Sequence, residues 1–314
     1  MSILVELPLD QYNRRAFANF SADTGFNQGN ALAMAWMSQL AYETGQPDKI
    51  PQIADRLQLD RVDIVREPAK STLPMSDTRG VIASKGDALI IAFAGTDPLN
   101  LLNWVSNFSP GRLSADAHEG FVDAAAAVWE RVGAVIEQGV KDRRRLFVTG
   151  HSLGAAIALA TLDHALSEKL IDKARGDAAQ VFVFGAPRVG RKDFVTRYND
   201  AFGATTYRFV HGKDIVPTVP PSELGFHHVG RFLSCESGAK FDVTKLSAGF
   251  ESDEPVSGED LISGIRDRVR DLFGLPSSTL RPDPLGIATV ALPPSIGDHL
   301  PDRYYTALTP GQSI

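Results

Sequence analysis

The stretch FVTGHSLGAAIALATL, residues 147–162, decides how the rest of the chain is read. An apolar run enters it, a run of small apolar residues leaves it, and Gly150 and Gly154 flank His151-Ser152 between them. The pattern predicts a buried strand turning sharply into a buried helix. Gly150-His151-Ser152-Leu153-Gly154 fits G-x-S-x-G in the strand–turn–helix setting that this motif requires. A serine at such a corner occupies a strained backbone conformation, so the positions two residues either side must be small. The same corner aims Oγ out at the carboxyl end of the sheet and leaves the Leu153 N–H at a helix N-terminus, facing any negative charge that develops there. Ala155, Ala156 and Ala158 let the helix lie close to the sheet. A plainer reading makes Ser152 the N-cap of that helix. His151, the variable position of the motif, is expected to point away and to be structural.

Working outward, residues 29–42 carry apolar side chains at helical spacing (Leu32, Trp36, Leu40). VIAS (81–84) and ALIIAFAG (88–95), separated by Lys85-Gly86-Asp87, read as a hairpin. Its second arm is apolar throughout, as a strand covered on both faces should be. Residues 119–140 read as a helix, 145–150 as a strand and 152–169 as a helix. A strand at 180–187, a helix near 191–201 and strands at 205–212 and 228–234 continue the alternation. This order predicts a mainly parallel sheet with right-handed crossovers and helices on both faces. Leu261, Ile265, Val269 and Leu272 form one stripe, Ser257 can cap it, and Gly274-Leu-Pro276 ends it. Residues 235–283 therefore read as a helical insertion on a single domain spanning 1–314, its own core being too small for independence.

The chain has 314 residues, 43% of them hydrophobic and 22% charged, enough apolar material for a sizeable core. A formal net charge of −6 argues against a nucleic-acid partner. The basic run Lys141–Arg145 follows a helical pattern, where cations suit the C-terminal end. Cys235 is the single cysteine, so no intrachain disulfide can form. No apolar run is long enough for a transmembrane helix, and Glu6 interrupts the N-terminal apolar residues, so no signal-peptide core is expected. The compartment stays open.

A serine nucleophile needs a base, and the base needs an orienting carboxylate. In the Ser–acid–His order of G-x-S-x-G folds, both lie downstream of Ser152 at strand ends. Asp214 follows a predicted strand, in a loop stiffened by Pro217, Pro220 and Pro221; it reads equally well as an ordinary turn aspartate. The downstream histidines are His164, His211, His227, His228 and His299. His164 falls on the helix after the serine, and His211 is close in sequence to Asp214. His227-His228 opens a strand. His299, in a late loop beside Asp298, is the best placed. No H-E-x-x-H or similar metal motif is present, and no cofactor is expected.

Between Thr96 and His118, Leu101, Trp104, Val105 and Phe108 fall at i, i+3, i+4 and i+7, opposite Asn100, Asn103, Ser106 and Asn107. The segment is amphipathic, bounded by Pro98 and Pro110-Gly111, and fits either a core-packing helix or a mobile cover.

Over residues 80–305 the chain resembles the class 3 lipases of the fungal triacylglycerol type, members of the α/β-hydrolase superfamily. The resemblance rests on AFAGTD (92–97), HEGF (118–121), VTGHSLGAAIA (148–158), FGAPRVG (184–190), HGKDIVPTVPP (211–221), HHVG (227–230) and DHLPDRY (298–304), in that order. It implies an α/β-hydrolase fold, with Ser152 as nucleophile, Asp214 as orienting acid and His299 as general base. It implies Thr96 and Leu153 as the oxyanion hole, His228 as structural, and residues 97–115 as a lid whose Leu101, Trp104, Val105 and Phe108 meet the substrate. Hydrolysis of triacylglycerol, at a lipid–water interface and without cofactor or metal, is the expectation. Phospholipase A1, feruloyl-type or small-ester esterase activity on the same triad is the alternative, and a non-catalytic binding protein on this fold is a further one. Two departures stand out. Ala94 occupies a position where the family usually has Arg, and the disulfides of the secreted fungal members have no counterpart.

Overall fold

A computed structural model describes residues 5–23, 25–68, 75–96, 117–171, 179–220, 222–250 and 294–310. Within them, seven strands form one sheet in chain order: β1 (Arg61–Pro68), β2 (Asp77–Lys85), β3 (Ala88–Phe93), β4 (Arg145–His151), β5 (Ala179–Phe184), β6 (Thr206–His211) and β7 (Arg231–Cys235). β1, β2 and β3 pair antiparallel, and the pairings from β3 to β7 are parallel. The predicted hairpin is β2–β3, with Lys85 opposite Ala88. β1 has no counterpart in the sequence reading, because its apolar residues alternate with Arg61, Asp63, Arg66 and Glu67 along a half-exposed edge.

Period-two alternation divides the central strands between two cores. Leu89, Ile91 and Phe93 of β3, Leu146 and Val148 of β4, and Val181 and Val183 of β5 face one layer. Ile90, Ala92, Phe147, Phe182 and Phe184 face the other. The first layer is covered by α3 (Glu119–Ala127), α4 (Trp129–Lys141), α5 (Leu153–Ser167) and α6 (Lys192–Phe202). The second is covered by α1 (Gln28–Tyr42), α2 (Ile50–Leu57) and the last helix, α8 (Pro301–Leu308), which follows the short α7 (Pro294–Gly297). The single helix expected over 119–140 is two helices. Val128, at φ −103° and ψ 2°, leaves the helical region and breaks the run between α3 and α4.

α5 begins at once after the corner, and its alanines are fully buried. Close approach also explains the two flanking glycines. A Cβ on Gly154 would overlap the carbonyl oxygen of Phe93, and one on Gly150 would overlap the Gly154 carbonyl. The basic run sits where the sequence placed it, at the end of α4, but Arg144 does more than face solvent. It donates to the Gly86 and Ala88 carbonyls at 3.0 and 2.8 Å, fastening the β2–β3 turn. Of the predicted insertion, Cys235 belongs to β7, and residues 236–250 run through turns and a 3-10 helix at Val243–Lys245. Phe241 there packs edge-on against Phe209. The expected helix over 257–273 and the segment 97–115, with Leu101, Trp104, Val105 and Phe108, lie outside the described residues.

Candidate active site

Ser152 stands between β4 and α5 at φ 61° and ψ −131°, a region that non-glycine residues avoid at a cost of about 1–3 kcal/mol. Its side chain caps no backbone N–H, which removes the plainer reading of this serine as a helix N-cap. The surroundings impose the strained conformation: the Ser152 N–H donates to the Phe184 carbonyl at 2.9 Å, and the Ser152 carbonyl accepts from the Ala155 N–H at 3.0 Å.

Asp214 and His299, 85 residues apart in sequence, meet at the carboxyl end of the same sheet. His299 Nδ1 lies 2.9 Å from Asp214 Oδ1 and 2.8 Å from Oδ2, with both residues buried. A carboxylate only accepts, so Nδ1 carries a proton; in the neutral ring that leaves Nε2 as the acceptor, the tautomer a general base requires. Asp214 also accepts from the Val216 N–H at 2.9 Å and from the Tyr304 hydroxyl. The end of β5 joins this pair to the serine. Phe184 holds Ser152, and the next residue, Gly185, is so close to the pair that a Cβ on it would lie 2.6 Å from Asp214 Oδ2 and 2.9 Å from His299 Nδ1.

Ser152 Oγ and His299 Nε2 are both buried, and neither makes a hydrogen bond within the described residues, so the two are not hydrogen-bonded to each other here. Catalytic hydrogen bonds of this kind are often formed only once substrate is bound. The candidate oxyanion residues flank the serine. Leu153 opens α5, so its N–H has no acceptor within the helix. Thr96 is buried, and the residue before it, Gly95, runs so close to the corner that a Cβ there would lie 2.9 Å from Ser152 Cβ. The backbone of Ala94 donates to the Arg79 carbonyl at 2.9 Å.

The acid loop is held from outside. Arg188 donates to the Thr218 and Pro220 carbonyls at 2.6 and 2.9 Å, and the His228 ring bonds the Pro217 carbonyl at 2.8 Å. His228 thus braces the acid loop from a buried position. His164 packs edge-on against Trp129, and His227 is exposed. His211 faces Asp298 Oδ1 at 3.3 Å. His118, in the HEGF segment, caps α3 by accepting from the Gly120 N–H at 3.2 Å, and burial pushes its pKa down to about 4. Sequence reasoning missed Tyr304 and Gly185 as site neighbours. Both stand inside quoted motifs, but only the packing of α8 and β5 brings them to Asp214.

Among the described residues, no group of three or more His, Cys, Asp or Glu side chains is arranged to hold a metal. No helix among them is long and apolar enough to cross a membrane.

A mixed sheet between helical layers, with a strained serine at a strand-to-helix corner and a His–Asp pair at the same end of the sheet, defines an α/β-hydrolase fold. The solved structures agree. The Rhizomucor miehei lipase–propeptide complex superposes with a TM-score of 0.54 at 24% identity, covering 76% of this chain and 78% of that one. The family model described as Lipase (class 3) matches residues 90–224. A secreted mono- and diacylglycerol lipase 1 of Fusarium solani is 31% identical over 152 residues, 45% of this chain and 41% of that protein. A lipase of Rhizopus niveus is 33% identical over 165 residues, 50% of this chain and 41% of that protein. The chain thus spans less than half the length of these curated relatives.

Proposed function

We propose that the protein is a serine carboxylic-ester hydrolase, acting on acylglycerols as a triacylglycerol lipase through an acyl-enzyme. The observation that carries this reading is the buried Asp214–His299 pair, proton on Nδ1, beside a serine in a strained corner. In the proposed reaction Ser152 Oγ bonds to the ester carbonyl carbon while its proton passes to His299 Nε2. The oxyanion is met by the N–H groups of Leu153 and Thr96. Collapse breaks the carbon–oxygen bond to the alcohol, which leaves with the proton from His299. Water, deprotonated by the same nitrogen, then releases the carboxylic acid and restores Ser152. Asp214 stays ionised throughout and holds the imidazolium that forms in each half.

The substrate class draws support from the relatives, whose names specify lipases of mono- and diacylglycerol in one case and lipase alone in the other. Residues 97–115 are proposed as the lid on their sequence pattern, with Leu101, Trp104, Val105 and Phe108 as the face that meets acyl chains or a lipid surface.

The test is covalent labelling with a fluorophosphonate probe, followed by a chain-length series of soluble and emulsified esters. Labelling is expected at Ser152, with a rise in activity on emulsified long-chain substrate. An unlabelled Ser152 in folded protein overturns the enzyme reading. Activity confined to short soluble esters retains the chemistry and overturns the lipase assignment.

A further inference from the structure

Tyr42, His151 and the main chain of His299 form a chain of hydrogen bonds that the reaction above does not use. His151 Nε2 lies 2.6 Å from the His299 carbonyl oxygen, and Nδ1 lies 2.8 Å from the Tyr42 hydroxyl. All three residues are buried. A carbonyl only accepts, so His151 Nε2 carries a proton. Burial, and then the neighbouring His299, hold the His151 pKa well below the ordinary histidine value, so the ring is neutral and Nδ1 is an acceptor. The Tyr42 hydroxyl therefore donates to it. Every proton in the chain is assigned: Tyr42 to His151, and His151 to the carbonyl of His299.

This arrangement differs from a core histidine that is merely satisfied. One peptide bond separates His151 from Ser152, so the ring moves with the corner that carries the serine. Its acceptor is the main chain of the candidate base, 148 residues further on. Asp214 orients the imidazole of His299 from one side, whereas His151 holds the backbone from which that imidazole hangs. The His151 and His299 rings also lie against each other, with centroids 4.5 Å apart and planes tilted by 34°. Tyr42 is confined in turn, because a Cβ on Gly95 would overlap its hydroxyl. The strand end before Thr96, the serine corner and the His299 loop are thus packed through two side chains.

We propose that His151, oriented by Tyr42, is a positioning residue that sets the distance between the backbones of Ser152 and His299 for proton transfer. The inference rests on the reading of these two as nucleophile and base. A neutral ring is also the partner His299 needs, since the positive charge formed there in the transition state meets no like charge on the neighbouring ring.

The test compares His151→Leu, His151→Gln and Tyr42→Phe with the parent on a soluble ester, each first shown to be folded by circular dichroism and thermal melting. Misplacement of a catalytic group by about 1 Å can cost 100-fold. His151→Leu is expected to lose about 10- to 100-fold in kcat with KM unchanged, and its His299 Nδ1 proton resonance to broaden or shift. His151→Gln, which returns an N–H donor, is expected to recover part of that loss. Tyr42→Phe is expected to lose less than His151→Leu. A folded His151→Leu variant within about twofold of the parent in kcat, or a Gln variant no better than Leu, overturns the proposal. Failure of the triad reading looks different, because the parent itself would then show no Ser152-dependent turnover.

Discussion

Tyr304 donates its buried hydroxyl to Asp214 Oδ2, the same oxygen that faces His299 Nδ1 at 2.8 Å. Burial, and then the carboxylate, hold the Tyr304 pKa well above its ordinary value, so the hydroxyl stays protonated and remains a donor. It also accepts from the His211 N–H at 3.3 Å. Tyr304→Phe leaves both groups short of a partner without changing volume. A loss of about 1–3 kcal/mol in stability is expected, measured by urea unfolding, together with a fall in kcat of roughly 10-fold. Unchanged stability would mean that Asp214 is held well enough by Val216 and His299 alone.

Gly185 stands at φ +56°, with the acid and the base packed over its α-carbon. Gly185→Ala adds backbone strain and drives a methyl to 2.6 Å from Asp214 Oδ2, so the pair has to separate. Ester hydrolysis is expected to fall by about 100-fold or more while the far-UV circular dichroism is kept. A kcat near that of the parent would show that the loop yields without parting Asp214 from His299.

Strain at Ser152 predicts a gain in stability on its removal. At φ 61° and ψ −131° a glycine is at ease, whereas alanine keeps the strain and loses only the hydroxyl. Both Ser152→Ala and Ser152→Gly are expected to abolish hydrolysis. The glycine variant should nonetheless unfold at higher denaturant, being more stable than the alanine variant by about 1 kcal/mol once the greater entropy of unfolded glycine is set against the relieved strain. Equal midpoints would argue that the corner relaxes without the serine.

His118 links stability to pH. In the fold its pKa is about 4 because of burial, against 6.5 for the unfolded residue. Above pH 6.5 both states are neutral, and the stability of the fold is fully present. As pH falls below 6.5 the unfolded chain gains a proton that the fold refuses, and stability drops until about pH 4, by about 3 kcal/mol in all. Protonation would also remove the acceptor that caps α3. His118→Asn keeps a capping oxygen and does not titrate, so its stability should fall less between pH 7 and 4.5 in urea titrations. An identical fall in parent and variant would assign the pH dependence to other groups.

Much of this architecture is legible in local sequence, and the exceptions have local causes. β3 and β5 were readable because burial on both faces forces unbroken apolar runs such as ALIIAF and VFVF. β1 escaped notice because an edge strand half in solvent carries as many charges as apolar residues. The break at Val128 was hidden inside an unbroken helical composition.

Sequence alone determined the corner at Ser152, since only small residues at 150 and 154 permit so tight a strand-to-helix turn, and it supplied Asp214 and His299 in the right order. It left Asp214 open between a turn residue and an acid, and put His299 ahead of four other downstream histidines on position alone, because side chains 85 residues apart meet only through the sheet. The tertiary structure pairs His299 with Asp214. Parallel pairing from β3 to β7 brings the carboxyl ends of β4, β5 and β6 to one end of the sheet, where Gly185, Asp214 and His299 meet and the Ser152 N–H bonds the Phe184 carbonyl. It also gave His151 a partner no sequence pattern announces, a backbone carbonyl 148 residues away.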